Sequence, residues 1–380
     1  MSNGFTQNPH KLLVIPGPIE VADEVLLANA SASVSHVSAG FIGIFGETLE
    51  MLLKLLYTSV ETGSQAFVVS GSGTLGWDMV AANLVEHGEK VLVLSNGYFG
   101  EAFRDCLEAY GAEVDILSAQ LGHTITPTEL EKHLQETKIT YKLITITHCD
   151  TSTGVLADAK GLAAVASRLS KDSLIVLDSV CSVASEEIRF DDWNLDVVLS
   201  ASQKGLGTPP GLCISIASDR ALKTLETRKT PISTYYASWK KWLPIMKAYQ
   251  AGSPAYFATP PTNLITALHK SLKLILENPK LSLEERFLRH KQASQKVKEA
   301  VENKLGLKQL SVNQQSNVIG KMLEKDLVIA GGLHKDCKDR YIRIGHMGLT
   351  AIEHPLQHID KIVVGLTDSL KQLGHDPVQK

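Results

Sequence analysis

Ser173-Leu174-Ile175-Val176-Leu177-Asp178-Ser179-Val180 runs four aliphatic residues together and then ends on a carboxylate. A strand that is apolar without alternation is the pattern of one buried on both faces, as in a parallel sheet covered by helices. A charge at the end of such a strand is costly unless a cation or several donors meet it. Asp178 therefore reads either as a structural cap or ion pair, or as one side of a ligand site. Outward from this stretch the same apolar pattern recurs at 66–69, 90–94, 113–117, 142–147, 197–199 and 212–216. Between the runs, 75–86, 99–110, 127–135 and 161–169 have helical spacing. The alternation predicts an α/β fold whose large domain holds a mostly parallel sheet covered by helices. In such a sheet ligands bind outside the carboxyl ends of the strands.

At 380 residues the chain is long enough for a large domain and a smaller one. After Pro260-Pro261 come two long helical patterns, 263–277 and 283–303, then short strand patterns at 326–332 and 341–344 and a closing helix at 358–373. The predicted division is 1–260, an N-terminal segment with the large cofactor-binding domain, and 261–380, a smaller C-terminal α/β domain. The net charge of −3 offers no footing for nucleic acid or an anionic membrane. No apolar run has the length to span a bilayer. The five cysteines are scattered without metal-ligand spacing, so free thiols in a reducing compartment and no metal site are expected. The polar first ten residues contain no arginine, and the chain does not end in Ser-Lys-Leu. A cytoplasmic location is the expectation, with peroxisome and mitochondrion left open.

Two further stretches carry chemistry. Ser70-Gly71-Ser72-Gly73-Thr74 lies between a strand and a helix start, where free amides and the helix dipole suit an anion. It lacks the lysine of a P-loop, and read alone it is a flexible turn with a cap. Lys204 stands in Ser202-Gln203-Lys204-Gly205-Leu206-Gly207-Thr208-Pro209-Pro210-Gly211, after an apolar strand and among small residues that leave room for a bulky ligand. A loop lysine is ordinarily a solvated surface charge. A lysine in a partly desolvated pocket has a lowered pKa and can form an imine with a carbonyl. An anion cup, a buried carboxylate and such a lysine, in this order, suit one molecule with a phosphate, a basic ring nitrogen and an aldehyde.

The chain resembles the class V, fold type I, pyridoxal phosphate aminotransferases, and within them the alanine–glyoxylate and serine–pyruvate aminotransferases. The resemblance rests on Pro16-Gly17-Pro18, Ser70-Gly71-Ser72-Gly73-Thr74, Ser95-Asn96-Gly97, Thr151-Ser152-Thr153-Gly154, Asp178-Ser179-Val180, Ser202-Gln203-Lys204, Tyr256 with Thr259, and Arg343-Ile344-Gly345. Stretches 70–77, 256–261, 329–336 and 341–348 are most similar to the fungal alanine–glyoxylate branch. The resemblance implies Lys204 as the catalytic Schiff-base lysine and Asp178 on the pyridine nitrogen. It implies Ser72, Gly73, Thr74 and Gln203 around the phosphate, Val180 and Phe99 on the ring, and Thr151 near the phenolic oxygen. Phe99 replaces the family's usual tryptophan and Thr151 its usual serine. The resemblance further implies that Tyr256 and Thr259 reach the neighbouring subunit's phosphate, and so a homodimer with shared active sites. Gly17 and Arg343 face the substrate, with Arg343 gripping its carboxylate. His148 and His346 read as structural.

The reaction so implied is ping-pong transfer of an amino group from L-alanine to glyoxylate, giving pyruvate and glycine, a glycine-forming step. Alternatives are serine with pyruvate or glyoxylate, a cysteine desulfurase using Cys337, and a non-catalytic pyridoxal phosphate protein. Gln203 stands where a desulfurase places histidine, and a scaffold needs no arginine clamp. A nicotinamide dehydrogenase lacks its glycine fingerprint here. Between 310 and 328 the chain is shorter than the family pattern, which predicts a trimmed or differently packed small domain.

Overall fold

A computed structural model describes residues 5–307 and 321–375. Its centre is a seven-stranded sheet made of β1 (Gln65–Ser70), β2 (Lys90–Ser95), β3 (Glu113–Ser118), β4 (Leu143–Thr147), β5 (Leu174–Asp178), β6 (Val197–Ala201) and β7 (Leu212–Ala217). The spatial order is β1-β7-β6-β5-β4-β2-β3. Every residue of β4, β5, β6 and β7 is buried, Thr145, Thr147, Ser200 and Ser215 included, as in a sheet covered on both faces. Helices Thr74–Leu84, Tyr98–Ala109, Pro127–Thr137 and Ala159–Leu169 form the connections. Two begin on strong sequence signals. Thr126 and Glu129 make a reciprocal capping box, and the Asp158 carboxylate accepts from the Gly161 amide at 2.9 Å.

β7 alone in this sheet runs antiparallel to both neighbours. The 202–211 connection is too short to carry a crossover helix, so the chain turns back as a hairpin. The hairpin is tied by the Ser202 hydroxyl, which accepts from the Leu212 amide and donates to the Pro209 carbonyl. Lys204 sits in it. The remaining pairings are parallel, so the loops after β1, β2, β4, β5 and β6 emerge at one edge.

The predicted strand at 326–332 is two strands. Leu327–Val328 pairs in parallel with Leu12–Leu13, a strand that the sequence reading did not anticipate, and Ala330–Gly331 pairs antiparallel with Ile342–Arg343. The chain changes partner at Ile329, whose side chain is buried. The helix predicted at 283–303 is α-helical over Leu283–Glu299 and ends in a π turn, Ala300–Lys304. Two hydrophobic clusters result. The first surrounds the large sheet and takes in Ile265, Leu268, Leu272 and Ile275 of helix Thr262–Leu276. The second joins Val14, Leu281, Ala293, Val297, Leu327, Ile362 and Leu366, so the N-terminal segment packs with the C-terminal one. The expected shortening at 310–328 falls largely outside the described residues. Among the described residues no helix is long and apolar enough to cross a membrane, and no cluster of His, Cys, Asp and Glu could hold a metal ion.

Candidate active site

Asp178 ends β5 with its side chain buried. One carboxylate oxygen accepts from the Trp77 indole N–H at 2.8 Å and the other from the Val180 amide at 3.2 Å. Burial raises its pKa to about 6, against the downward pull of those two donors and of the Lys204 charge. Among the described residues Asp178 has no ion-pair partner.

Lys204 lies just past β6, the neighbour of β5. Its Nζ donates to the Pro16 carbonyl at 2.6 Å. Burial lowers its pKa, and the nearby Arg343 charge adds to that effect. Gly17 covers the lysine stem. With φ at +123°, it is in the region that favours glycine, and a Cβ there would stand 2.6 Å from Lys204 Cε. Gly17→Ala is expected to lower kcat roughly tenfold to a hundredfold, the effect of about 1–3 kcal/mol of local strain, with little change in Tm. Steady-state kinetics beside a melting curve test this; an unchanged kcat would remove Gly17 from the site.

The loop after β1 lies across from Asp178. Gly73 is buried, and a Cβ there would approach the Val180 side chain at 3.0 Å. Ser72 and Thr74 are exposed, and no side chain caps the helix that begins at Thr74. The first turn of that helix also lacks an acidic residue. Gln203 carries a buried side-chain oxygen without a hydrogen-bond partner. Phe99 lies half-buried, its ring 6.4 Å from that of Trp77.

Past β4, Thr151 is buried and its carbonyl accepts from Arg343 Nη1 at 3.3 Å. Arg343 Nε donates to the Gly331 carbonyl at 2.7 Å. Among the described residues this guanidinium forms no ion pair, and burial lowers its pKa. A cleft of about 310 Å³ opens beside it, lined among others by Pro16, Thr151, Thr153, Cys181 and Tyr341. Cys337 is absent from that lining, and burial raises its thiol pKa. His148 is buried, with Nδ1 2.9 Å from the Ser182 hydroxyl and a pKa lowered by burial to about 4. His346 Nδ1 faces the Ile344 carbonyl at 3.3 Å.

Tyr256 and Thr259 are not gathered into this group. Both are exposed, and Tyr256 packs on His36 with ring centroids 5.3 Å apart. Three contributors escaped the sequence reading: Trp77, the Pro16 carbonyl and Asp150. Asp150 is fully buried. It accepts from the Phe99 amide at 2.9 Å and from the Ser152 amide at 2.8 Å, fixing the start of helix Tyr98–Ala109. Asp150 lies three residues past β4, in the short strand Cys149–Asp150, so no acid at the end of an apolar run marked it in the sequence.

Comparison with known proteins shows what the chain is similar to. The pattern of the family described as aminotransferase class-V matches residues 20–323. Alanine–glyoxylate aminotransferase 1 of Saccharomyces cerevisiae is 39% identical over 370 residues, covering 91% of this chain and 94% of the relative. L-aspartate–glyoxylate aminotransferase of Paracoccus denitrificans is 28% identical, covering 90% and 87%. Among solved structures, alanine–glyoxylate aminotransferase from Nostoc sp. superposes with a TM-score of 0.83 at 27% identity, covering 96% of each chain.

Proposed function

We infer the reaction from the premise that this chain belongs to the class-V aminotransferase family. It is an aminotransferase, and its cofactor is pyridoxal phosphate. The residues fit that group on this chain's own evidence. Among the described residues, Asp178 is a buried acid lacking an ion-pair partner, Gln203 has an orphaned buried amide oxygen, and the helix start between the Ser72 and Thr74 hydroxyls has no side-chain cap. Ser72, Gly73 and Thr74 would hold the phosphate, with Gln203 turning its amide to donate. Asp178 would hold the ring nitrogen, Val180 and Phe99 the ring faces, and Thr151 the phenolic oxygen. Tyr256 and Thr259 would complete the phosphate site of a second copy in a homodimer, which accounts for their exposure.

We propose L-alanine as amino donor and glyoxylate as acceptor, giving pyruvate and glycine. The single observation that carries the donor and acceptor is the 39% identity to the yeast alanine–glyoxylate enzyme across nearly the whole chain. Pyridoxal phosphate supplies an aldehyde for the amino group and a ring that takes up the electron pair left on the substrate α-carbon. The rest falls to the protein. Arg343 binds the α-carboxylate and orients the substrate. Lys204, whose amine burial makes easier to deprotonate, would take the proton from the substrate α-carbon and deliver it to the C4′ carbon of the cofactor. Asp178 keeps a proton on the ring nitrogen. Serine is the alternative donor, favoured by the hydroxyls of Thr151, Thr153 and Ser182 around the cleft. A panel of amino donors against glyoxylate and pyruvate tests both; no turnover of alanine with glyoxylate defeats the main reading.

Arg343→Lys is expected to raise KM for both substrates roughly 10- to 100-fold, the loss of one charge-assisted hydrogen bond and of fork geometry. Equal KM values for wild type and variant would exclude the clamp. For the shared site, mixing inactive Lys204→Ala chains with Tyr256→Phe chains should give hybrid dimers with one intact site. Activity appearing on mixing supports the dimer, and activity equal to the sum of the separate chains removes it. Five free thiols agree with a cytosolic setting, where we place the glycine-forming reaction. We set the boundary between the two domains after helix Thr262–Leu276, since its apolar face belongs to the first cluster.

A further inference from the structure

We propose that Arg286 and His290 are positioning residues that hold the Lys204 hairpin and the Arg343 strand at a constant separation; this rests on the roles given above to Lys204 and Arg343. Both residues lie on helix Leu283–Glu299, which packs in the second cluster, and both are buried at 5% exposure. Arg286 Nε donates to the Ala184 carbonyl at 2.6 Å, and its Nη2 donates to the Gly205 carbonyl at 2.9 Å. Gly205 is the residue after Lys204, and Ala184 belongs to the turn that follows Asp178. One guanidinium thus joins the loops that carry the two central residues of the site. Among the described residues Arg286 forms no ion pair, and burial lowers its pKa to about 10, so it is still a cation at neutral pH. A buried cation held by carbonyls alone is a costly way to fill space. What it contributes is geometry.

One helical turn on, His290 Nδ1 lies 2.8 Å from the Arg286 carbonyl, and its Nε2 accepts from the Gly348 amide at 3.0 Å. With a carbonyl on one nitrogen and an N–H on the other, the ring must be neutral with its proton on Nδ1. Gly348 follows the Arg343 strand and starts the short helix Leu349–Ile352, whose last carbonyl takes a second tie from Arg289 Nη1 at 2.7 Å. The hydrogen bonds therefore run from Gly205 through Arg286 and His290 to Gly348.

A second route joins the same two pieces on the other side. Lys204 Nζ donates to the Pro16 carbonyl, and the Gly345 amide donates to the Val14 carbonyl at 2.6 Å. That route uses the reactive amine itself and is lost whenever Nζ is engaged elsewhere. The route through Arg286 and His290 leaves Nζ out and uses backbone groups and two side chains already bonded to them, although His290 also lines the cleft beside Arg343. It persists when the first is broken, and keeps the substrate clamp in reach of Lys204.

The test compares His290→Gln, which retains one donor and one acceptor, with His290→Leu, which has neither, and Arg286→Lys with Arg286→Met. The readouts are KM for alanine and glyoxylate, kcat, Tm, and retention of pyridoxal phosphate in equilibrium dialysis. His290→Leu should raise both KM values about tenfold, as for a small misplacement of the clamp, with cofactor retention unchanged. His290→Gln should restore KM to within about twofold of wild type, whether or not its Tm exceeds that of the leucine variant. Arg286→Met should weaken cofactor retention about tenfold, with partial recovery in Arg286→Lys, which can serve one carbonyl. Loss of Tm in His290→Leu with unchanged KM, and in Arg286→Met with unchanged cofactor retention, overturns the proposal. Arg343→Lys is the control. If it leaves KM unchanged, the substrate reading itself fails and takes the proposal with it. If it raises KM while His290→Leu does not, the positioning role alone is wrong.

Discussion

Lys204→Ala should fold, bind the cofactor only reversibly, and turn over at least about 10⁴-fold more slowly than wild type. Lys204 is asked to do two things, to anchor the cofactor aldehyde and to carry the α-proton. The histidines near the site are engaged: His148 Nδ1 faces the Ser182 hydroxyl, His346 Nδ1 faces the Ile344 carbonyl, and the two His290 nitrogens face the Arg286 carbonyl and the Gly348 amide. The Cys149 thiol is held protonated, its pKa raised by contact with Cys181 and by burial. Burial makes the Lys204 amine easier to deprotonate, which suits a base near neutral pH. Borohydride reduction of the wild-type holoenzyme followed by peptide mass analysis should mark Lys204 and leave the variant unmarked. A variant that kept a hundredth of the wild-type kcat would sink the assignment.

Asp178→Asn is the second large effect, and it acts in opposite directions on activity and on stability. The amide keeps an acceptor for the Trp77 indole, so packing survives. It lacks the charge that would hold a proton on the ring nitrogen, and kcat should fall about 10³-fold, the scale of losing a preorganised electrostatic partner. The stability effect has the other sign. In the cofactor-free chain the carboxyl titrates near 6, above the ordinary value of 3.8, so the folded state holds its proton more tightly than the unfolded state. Below the ordinary value both states are protonated and the site is not strained. Between 3.8 and 6 the unfolded chain ionises while the folded chain keeps its proton, so stability on the order of 2–3 kcal/mol is given up across that window and the loss is complete above pH 6. Asp178→Asn should therefore raise the Tm of the cofactor-free protein at pH 7 and leave it nearly unchanged at pH 4. Melting curves at the two pH values decide this, and an equal shift at both would contradict it. Bound cofactor, by setting a cation against Asp178, should erase most of the difference.

The parallel sheet was legible because burial on both faces favours aliphatic and β-branched residues at every position of a strand; β5 opens with four aliphatics in a row, and β4 mixes aliphatics only with buried threonines. Asp178 and Lys204 were legible for a related reason. In a parallel sheet every strand delivers its following loop to the same edge, so residues just past successive strands converge wherever they lie in sequence. Asp150 obeyed the same rule and was overlooked. The N-terminal strand Leu12–Leu13 had too little length for any periodicity, and it exists only because Leu327–Val328 lies beside it. Trp77 read as one more apolar residue of a helix, since nothing local reveals that its N–H meets a carboxylate.

By itself, then, the sequence determined the sheet, the order of its strands along the chain and the residues delivered to its active edge, all of them consequences of local burial patterns. Only the tertiary structure decided that Pro16 and Gly17 would close over Lys204, that Arg343 would stand against Thr151, and that a buried Arg286 would bind two loops through their carbonyls. Each of these joins segments far apart in the chain. Such contacts depend on which surfaces meet when the N-terminal segment packs with the C-terminal cluster, and periodicity within one segment carries no information about its partner.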